Sequence, residues 1–475
     1  GGKGFFSLDI TNPNKPKHLF AVDHNESDKV ITHWAHDESY TSEGYSGGSI
    51  SSEMDFRKLG ETWSVPRIIR MKVAGVEKWV AVFGAGYNGM ANPDIGSAVF
   101  VIDLENEGKV IKVIDIEDTA AQSYGWTGRL FKRVGGVLVD GNKKFIYQGN
   151  ACYDPSKGES FTAEFTPTVG FTLTFKTGSG NNLCIDYVDF DEAWPNTRNG
   201  GPPKPDYGNY FFRRMSNDIV NSLPANLTVI TADSTDKANY NGAMVYATDL
   251  EGKVTKINLT DKGTLYDTTT LFNAEATTDN GRYIFTRPEA TIDTDQNLWL
   301  YFGTGNIQKM QEQSNKIKNR LFGIKDKDFP NFVKVNPEGN VSKCKTAPVC
   351  PSNTDLGWYV DLKNSQKLTA EPTIDKDRVY YPIYEPTSAI NACKQGKAIL
   401  QAYDSLCGVS KLNVNLGTGV LSKVVVQGDN LYIGLAGQVD KNIKGFTSKD
   451  NLITGKSDAE AKSKEIQIES WIQNY

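Results

Sequence analysis

The sequence predicts an all-β chain, folded as a β-propeller with long inter-strand loop insertions, and three observations predict it. Apolar residues recur with period 2 or in short runs bounded by Gly, Pro, Asn and Asp; a three-part unit repeats along the chain; and helical periodicity is scarce. Only residues 309–320 and 457–464 have a composition that suits a helix, and they are expected as a loop insertion and a solvated connection.

The repeated unit starts with a Pro leading into a strand, continues through an aromatic strand that tends to close in Phe-Gly-x-Gly, and finishes with an apolar strand ending in Asp. One copy has Pro66, then Trp79-Val80-Ala81-Val82-Phe83-Gly84-Ala85-Gly86, then Val99-Phe100-Val101-Ile102-Asp103. A second has Pro288, then Trp299-Leu300-Tyr301-Phe302-Gly303-Thr304-Gly305, then Leu321-Phe322-Gly323-Ile324-Lys325-Asp326. A weaker third has Pro372, Val379-Tyr380-Tyr381 and Leu400-Gln401-Ala402-Tyr403-Asp404. The Asp-ended strand also stands alone at Phe5-Phe6-Ser7-Leu8-Asp9 and at Val245-Tyr246-Ala247-Thr248-Asp249. Units at this spacing fit propeller blades, whose loops lengthen freely, so residues 1–475 are expected as a single propeller domain; a set of two or three β-sandwiches is the rival arrangement. Residues 194–208 (WPNTRNGGPPKPDYG) are expected as a long surface loop and 41–52 (TSEGYSGGSISS) as a flexible one.

Composition removes several function classes. With 52 Lys plus Arg against 57 Asp plus Glu, a net charge of -5 and no dense basic run, the electrostatic footprint of a nucleic-acid binder is missing. Apolar runs such as 79–83 fall far short of the roughly 18–20 residues a membrane-spanning helix needs, so no transmembrane span is expected. The chain opens Gly1-Gly2-Lys3-Gly4 without a leader pattern, so localisation is not read from a signal.

Six cysteines fall into three sequence-local pairs, Cys152 with Cys184, Cys344 with Cys350, and Cys393 with Cys407. Fifteen connectivities are formally open, and the even count and the lack of Cys-x-x-Cys or neighbouring His argue against a zinc or haem site and favour either local disulfides or plain buried thiols. Other motifs dissolve on inspection. Gly44-Tyr45-Ser46-Gly47-Gly48 has the form of a nucleophile elbow without the buried strand and helix that an elbow needs. Gly84-Ala85-Gly86-Tyr87-Asn88-Gly89 has the dinucleotide spacing without a helix after it, and reads as a hairpin turn. His18, His24, His33 and His36 crowd the first 36 residues and are expected as solvated loop residues. The acidic stretch Asp293-Thr294-Asp295-Gln296-Asn297 reads as a hairpin turn, while residues 233–242 offer more oxygen donors around a central Lys237.

At the repeats a family resemblance becomes specific. The stretches GGKGFFSLDITNP, LGETWSVPRI, WVAVFGAGYNG, VYATDLEGKV, LWLYFGTGN, NRLFGIKD, GWYVDLK and LTAEPTI, in that order, and the ending Ile468-Glu469-Ser470-Trp471 resemble the C-terminal domain of the PilY/PilC proteins of bacterial type IV pili. The resemblance implies a quinoprotein-like propeller of about seven modified blades, a C-terminal fragment of a larger protein, and export to the bacterial cell surface, outer membrane or pilus tip. It implies a non-enzymatic role in pilus assembly, in control of extension and retraction, and in adhesion, with consequences for twitching motility and virulence. Its partners would be pilus components such as minor pilins and a host or surface receptor. The alternative is a quinoprotein-like dehydrogenase, whose usual adjacent Cys-Cys pair is missing here. Export supports disulfides between the three nearest pairs. The family's Ca²⁺ loop would fall at Asp233, Thr235, Asp236, Asn239 and Asn241, degenerate in its carboxylates, and no organic cofactor is expected. An Arg-Gly-Asp tripeptide does not occur, so integrin binding by that route is not expected.

Overall fold

A computed structural model describes residues 2–46, 48–88, 95–116, 222–277, 279–334, 341–387, 395–440 and 443–460 with their side chains, and further strands within 127–215, 339–340 and 466–467 as backbone. Residues 194–208, Cys393 and Ile468 to Trp471 lie outside the described residues. Among the described residues there are strands, turns and short 3₁₀ helices and no α-helix, so the all-β reading holds and none is long and apolar enough to cross a membrane. The sheets are antiparallel meanders of the kind that make propeller blades. Contacts between residues divide the chain into two compact units. The first comprises Gly1–Asn226 with Thr268–Thr270 and Val335–Glu338; the second comprises Leu227–Asp267, Leu271–Lys334 and Gly339–Tyr475.

In the first unit, one sheet runs in sequence order through Gly4–Asp9, Lys17–Asn25, Val30–Trp34 and Tyr40–Gly44. Another runs through Arg67–Val73, Val76–Gly84, Ala98–Asp103 and Lys109–Asp115. A seven-stranded antiparallel sheet occupies the stretch from Thr127–Val134 to Tyr210–Met215. Phe5 packs edge-on against Phe20, Phe56 and Phe83, and Phe83 stacks on Phe100 with ring centroids 5.5 Å apart, which gives this unit an aromatic core.

The second unit repeats the pattern. One sheet contains Thr228–Thr231, Gly242–Thr248 and Lys253–Thr260; the next orders Glu289–Ile292, Leu298–Gly303, Arg320–Asp326 and Gly357–Asp361; the last contains Thr373–Asp375, Arg378–Glu385, Lys397–Asp404 and Ser410–Leu421, continuing into Asn430–Val439 and Leu452–Lys456. Every residue of Leu298–Gly303 and of Arg378–Glu385 is buried, which is why these strands read as unbroken apolar runs and not as alternation. Their polar ends reach backbone: Tyr301 Oη and Trp358 Nε1 both donate to the Ser405 carbonyl at 3.1 and 2.9 Å, and Tyr381 Oη donates to that of Phe322 at 3.1 Å.

The two markers of the sequence repeat have separate physical roles. Pro66 and Pro288 each immediately precede the first strand of a sheet and Pro372 the short strand Thr373–Asp375, places where a missing N–H costs no ladder bond. The terminal Asp closes the turn that follows its strand. Asp9, Asp103, Asp326 and Asp404 each accept the backbone N–H two residues on, from Thr11, Glu105, Asp328 and Leu406, at 2.9 to 3.1 Å. Asp249 does the same work over a longer turn, accepting from the Lys253 N–H at 3.0 Å. At Asp326 the second carboxylate oxygen also takes Tyr246 Oη at 2.7 Å and Lys256 Nζ at 2.6 Å, with all three side chains buried.

Two expectations are corrected in part. Of the stretch 41–52, expected as a flexible loop, residues 41–44 belong to the strand Tyr40–Gly44 and Tyr45 is a buried core residue. Three of the four histidines are strand residues and not loop residues, His18 and His24 on one strand and His33 on the next, while His36 is exposed in the turn that follows, as expected. His24 is buried between the Leu59 carbonyl and Tyr45 Oη, at 2.7 and 2.8 Å, and burial lowers its pKa; His33 bonds the Glu107 carbonyl at 2.7 Å. Gly86 is required by backbone approach: at φ +91° any Cβ would stand 2.2 Å from the Glu61 carbonyl oxygen.

Replacing Asp326 with Ala should destabilise the chain by about 3–5 kcal/mol, because it strands the buried Lys256 ammonium, whereas Asp9→Ala, which removes only a surface turn bond, should cost about 1 kcal/mol or less. Urea titrations followed by tryptophan fluorescence compare the two; equal shifts would refute the assignment of the Asp326 cluster.

Candidate functional site

In the second unit, the loop after Leu298–Gly303 and the turns after Gly357–Asp361 and Arg378–Glu385 enclose a recess of about 1020 Å³. Its wall is polar. Arg320 Nε meets Asp361 Oδ1 at 2.7 Å, and its guanidinium lies 4.2 Å from the centroid of the Tyr359 ring. Glu385 accepts from Lys397 Nζ at 2.7 Å, Gln366 Nε2 at 2.8 Å and Asn364 Nδ2 at 3.3 Å. Burial opposes its charge, but these bonds prevail and hold its carboxyl below the ordinary glutamate range. The Ser365 hydroxyl is spent on the Ser314 carbonyl at 3.2 Å. Lys318 and Lys363 add two further cations to the lining, so the wall is polar and carries more positive than negative side chains.

Behind the recess sits Lys367, 1% exposed, whose ammonium donates to the carbonyls of Met310, Glu312 and Ser365 at 3.2, 2.9 and 3.2 Å. It fastens the long loop, including the 3₁₀ turn Ile307–Lys309, to the opposite turn. The composition of 309–320 had suggested a helix or a loop insertion, and the loop is what forms. Burial pushes the Lys367 ammonium down to about 8, with Glu312 opposing.

At the strand starts of this unit, Arg287 Nε and Glu371 Oε2 pair at 2.9 Å, and Lys423 Nζ meets Glu289 and Glu371 at 2.8 and 3.4 Å. Arg287 and Glu371 are the residues immediately before the repeat prolines, so a position equivalent in sequence places opposite charges together in successive sheets. The repeat made that position visible, but nothing in the sequence announced the pairing.

The candidate Ca²⁺ residues lie on one loop without converging. Asp233, Asp236 and Asn239 are exposed, Asp233 within the 3₁₀ turn Ala232–Ser234, while Thr235 is buried and its hydroxyl accepts the Lys237 N–H at 3.3 Å. The Asn241 N–H is held by Asp261 at 3.0 Å. Lys237 is exposed, and its ammonium donates to the Gln296 carbonyl at 2.8 Å, which ties the loop to the 293–297 hairpin turn. That turn is organised internally, with Asp293 accepting from the Asn297 N–H at 2.8 Å and from Trp299 Nε1 at 2.7 Å, as a plain hairpin requires. A loop closed by an ammonium, with two exposed carboxylates, does not fit the six to eight converging oxygens of a Ca²⁺ site. Among the described residues no group of three or more His, Cys, Asp or Glu is placed to hold a metal.

The cysteine pairing differs from the nearest-neighbour expectation. Cys350 is bonded to Cys407, 57 residues away, and Cys344 is a free, buried thiol whose pKa burial pushes up to about 12. The Cys344–Cys350 and Cys393–Cys407 bridges are thereby excluded. Asp404 positions the bridge, because its carboxylate accepts the N–H of Cys407 at 2.9 Å as well as that of Leu406. For Cys152 and Cys184, the backbones lie on strands Ala151–Asp154 and Asn182–Ile185, with two strands between them in the sheet. Three interstrand steps, roughly 14 Å, exceed the reach of a disulfide.

No family model matches the chain. A type IV pilus biogenesis factor, a PilY1 homolog of Xylella fastidiosa, is 24% identical over 215 residues, covering 39% of this chain and 14% of that relative's length. Among solved structures, the Pseudomonas aeruginosa PilY1 C-terminal domain matches over 89% of this chain and 93% of its own at 11% identity, with a TM-score of 0.35. A Staphylococcus aureus virginiamycin B lyase matches over 95% and 94% at 8% identity, with a TM-score of 0.21.

Two outcomes test the site. Between about pH 8 and the ordinary lysine value of 10.5 the unfolded chain binds the Lys367 proton that the folded chain has lost, so stability should rise with pH across that window. Lys367→Met should flatten the rise and cost about 1–3 kcal/mol for the stranded carbonyls; an unchanged pH profile would contradict the assignment. Peptide mapping without reduction should recover the Cys350–Cys407 bridge, and Cys344 should alkylate only after unfolding. The resemblance read from the ordered landmarks of the sequence is thus borne out, and the chain is similar to the PilY1-type factors of type IV pilus biogenesis.

Proposed function

We propose that this chain is part of an exported PilY1-type factor that supports type IV pilus biogenesis by binding and not by catalysis. The observation that carries the reading is the 215-residue similarity to the Xylella fastidiosa factor. The Cys350–Cys407 bridge supports export, since such bonds persist in oxidising compartments. In this reading the blades are a rigid display surface at the cell surface or pilus tip, contacting pilus components such as minor pilins and a surface receptor, with effects on extension, retraction and adhesion. Calcium enters as a proposal of substitution: the Lys237 ammonium tethers the loop that an ion would hold in relatives.

Deleting the coding region for this chain should reduce surface pili and twitching zones to background, with recovery on complementation by the intact gene. Normal piliation in the deletion strain would overturn the proposal. Adding millimolar Ca²⁺ should leave the thermal midpoint of the wild-type chain unchanged, and a rise that disappears in Asp233→Ala would contradict the substitution of Lys237 for the ion.

A further inference from the structure

The recess beside Arg320 is braced from behind. Arg282, which is buried, donates from Nε to the Lys318 carbonyl at 2.9 Å and from Nη1 to the Ala274 carbonyl at 3.1 Å, and the Lys318 N–H donates to the Asn280 carbonyl at 2.8 Å. Asn319, 1% exposed, laces this segment to the opposite turn: its Nδ2 donates to the Gln366 carbonyl at 2.9 Å, and its own carbonyl accepts the Leu362 N–H at 2.9 Å. That turn closes from the Gln366 N–H to the Lys363 carbonyl at 2.8 Å, with Asn364 and Ser365 in the left-handed conformation. Lys318, Arg320 and Lys363 therefore stand on backbone that is fixed before any ligand arrives.

What these side chains have left to offer is positive charge. Lys318 and Lys363 are exposed and have no ion pair among the described residues. Arg320 spends Nε on Asp361, but neither of its Nη nitrogens donates to a described residue, and neither is sealed from solvent. Of the two carboxylates in the wall, Glu385 is already met from outside it by Lys397. Arg282 sets a second guanidinium behind Arg320, and burial first, then that neighbour, push it down to about 10. The surplus of positive charge thus extends behind the wall.

At about 1020 Å³ the recess stands at the upper end of small-ligand sites and takes more than a free ion. Strands contribute only their terminal residues to it, Arg320, Asp361 and Glu385, and the rest of the lining is loop and turn. No strand edge therefore runs along it for an extended peptide to pair with. Among the described residues no aromatic side chain lines it, and the Tyr359 ring beside it is taken by the Arg320 guanidinium, so a neutral sugar finds no face to stack on. What remains is hydrogen bonding on a positive wall. We propose that the recess binds an acidic saccharide, a short chain of sugars bearing carboxylates. Arg320, Lys318 and Lys363 receive a carboxylate, while the Asn315 amide and the second oxygen of Asp361 meet hydroxyls. This inference stands on the recess and does not depend on the pilus reading.

The test titrates the full chain with trigalacturonate in a calorimeter. Binding should saturate at one site per chain and weaken as salt rises, and Lys318→Ser or Lys363→Ser should each weaken it by about tenfold or more. Lys316→Ser removes the same charge from the same loop outside the lining, and should leave affinity within about twofold of the wild type. All three lysines are exposed, so thermal unfolding should show each variant as stable as the wild type. Maltotriose, hexaglutamate and inorganic sulfate should bind about tenfold or more weakly than trigalacturonate. Three results would each overturn the proposal: no binding of trigalacturonate; equal binding of maltotriose, hexaglutamate or sulfate, which would mean a neutral-sugar site, an acidic-peptide site or an adventitious ion only; or a loss in Lys316→Ser equal to that in Lys363→Ser.

Discussion

Strands buried at every residue oblige the sheets that hold them to be covered on both faces. Leu298–Gly303, Arg378–Glu385 and Ala98–Asp103 are buried at every residue, so none of their sheets can stand alone in water with one solvated face. The other features follow from that constraint. Tyr301, Trp358 and Tyr381 sink whole rings between strands and must send their polar ends to the carbonyls of Ser405 and Phe322. Arg287 and Glu289, buried at the strand starts, are neutralised by each other and by the half-buried Glu371 and Lys423. Lys367 is likewise retained because three carbonyls receive it.

The repeat was legible because its markers are local. A Pro before a first strand and an Asp that closes the next turn act within a few residues of themselves, so spacing along the chain reveals them. The plain hairpin at Asp293 was legible for the same reason. The cysteines were not, since Cys350 and Cys407 are brought together by the packing of one sheet's loop on the next sheet's turn, a relation 57 residues long that loop closure alone does not rank. The histidines misled because Lys17–Asn25 and Val30–Trp34 carry polar side chains amid a weak alternation, and only tertiary structure buries His24 against Tyr45. Lys237 was recognised as an intruder among oxygen donors, but its partner, the Gln296 carbonyl, belongs to a turn 59 residues away.

The same constraint separates what the chain displays from what it needs. In the recess Arg320 and Glu385 each have an opposite charge beside them, and at the loop of Asp233 the Lys237 ammonium reaches the Gln296 carbonyl. Lys318 and Lys363, exposed at the same recess, have no such partner among the described residues, and they are what the chain displays there.

The central claim is that the Asp-ended strands Ala98–Asp103, Arg320–Asp326 and Lys397–Asp404 are equivalent positions, each paired on one edge with the aromatic strand of its unit. Native-state hydrogen exchange of the whole chain, read strand by strand, tests it most directly. Amides of all three strands should exchange only through large cooperative openings. Exchange of any one of the three by local fluctuation, faster by orders of magnitude, would contradict the account, because it would mean that its place in the sheet is not the covered one.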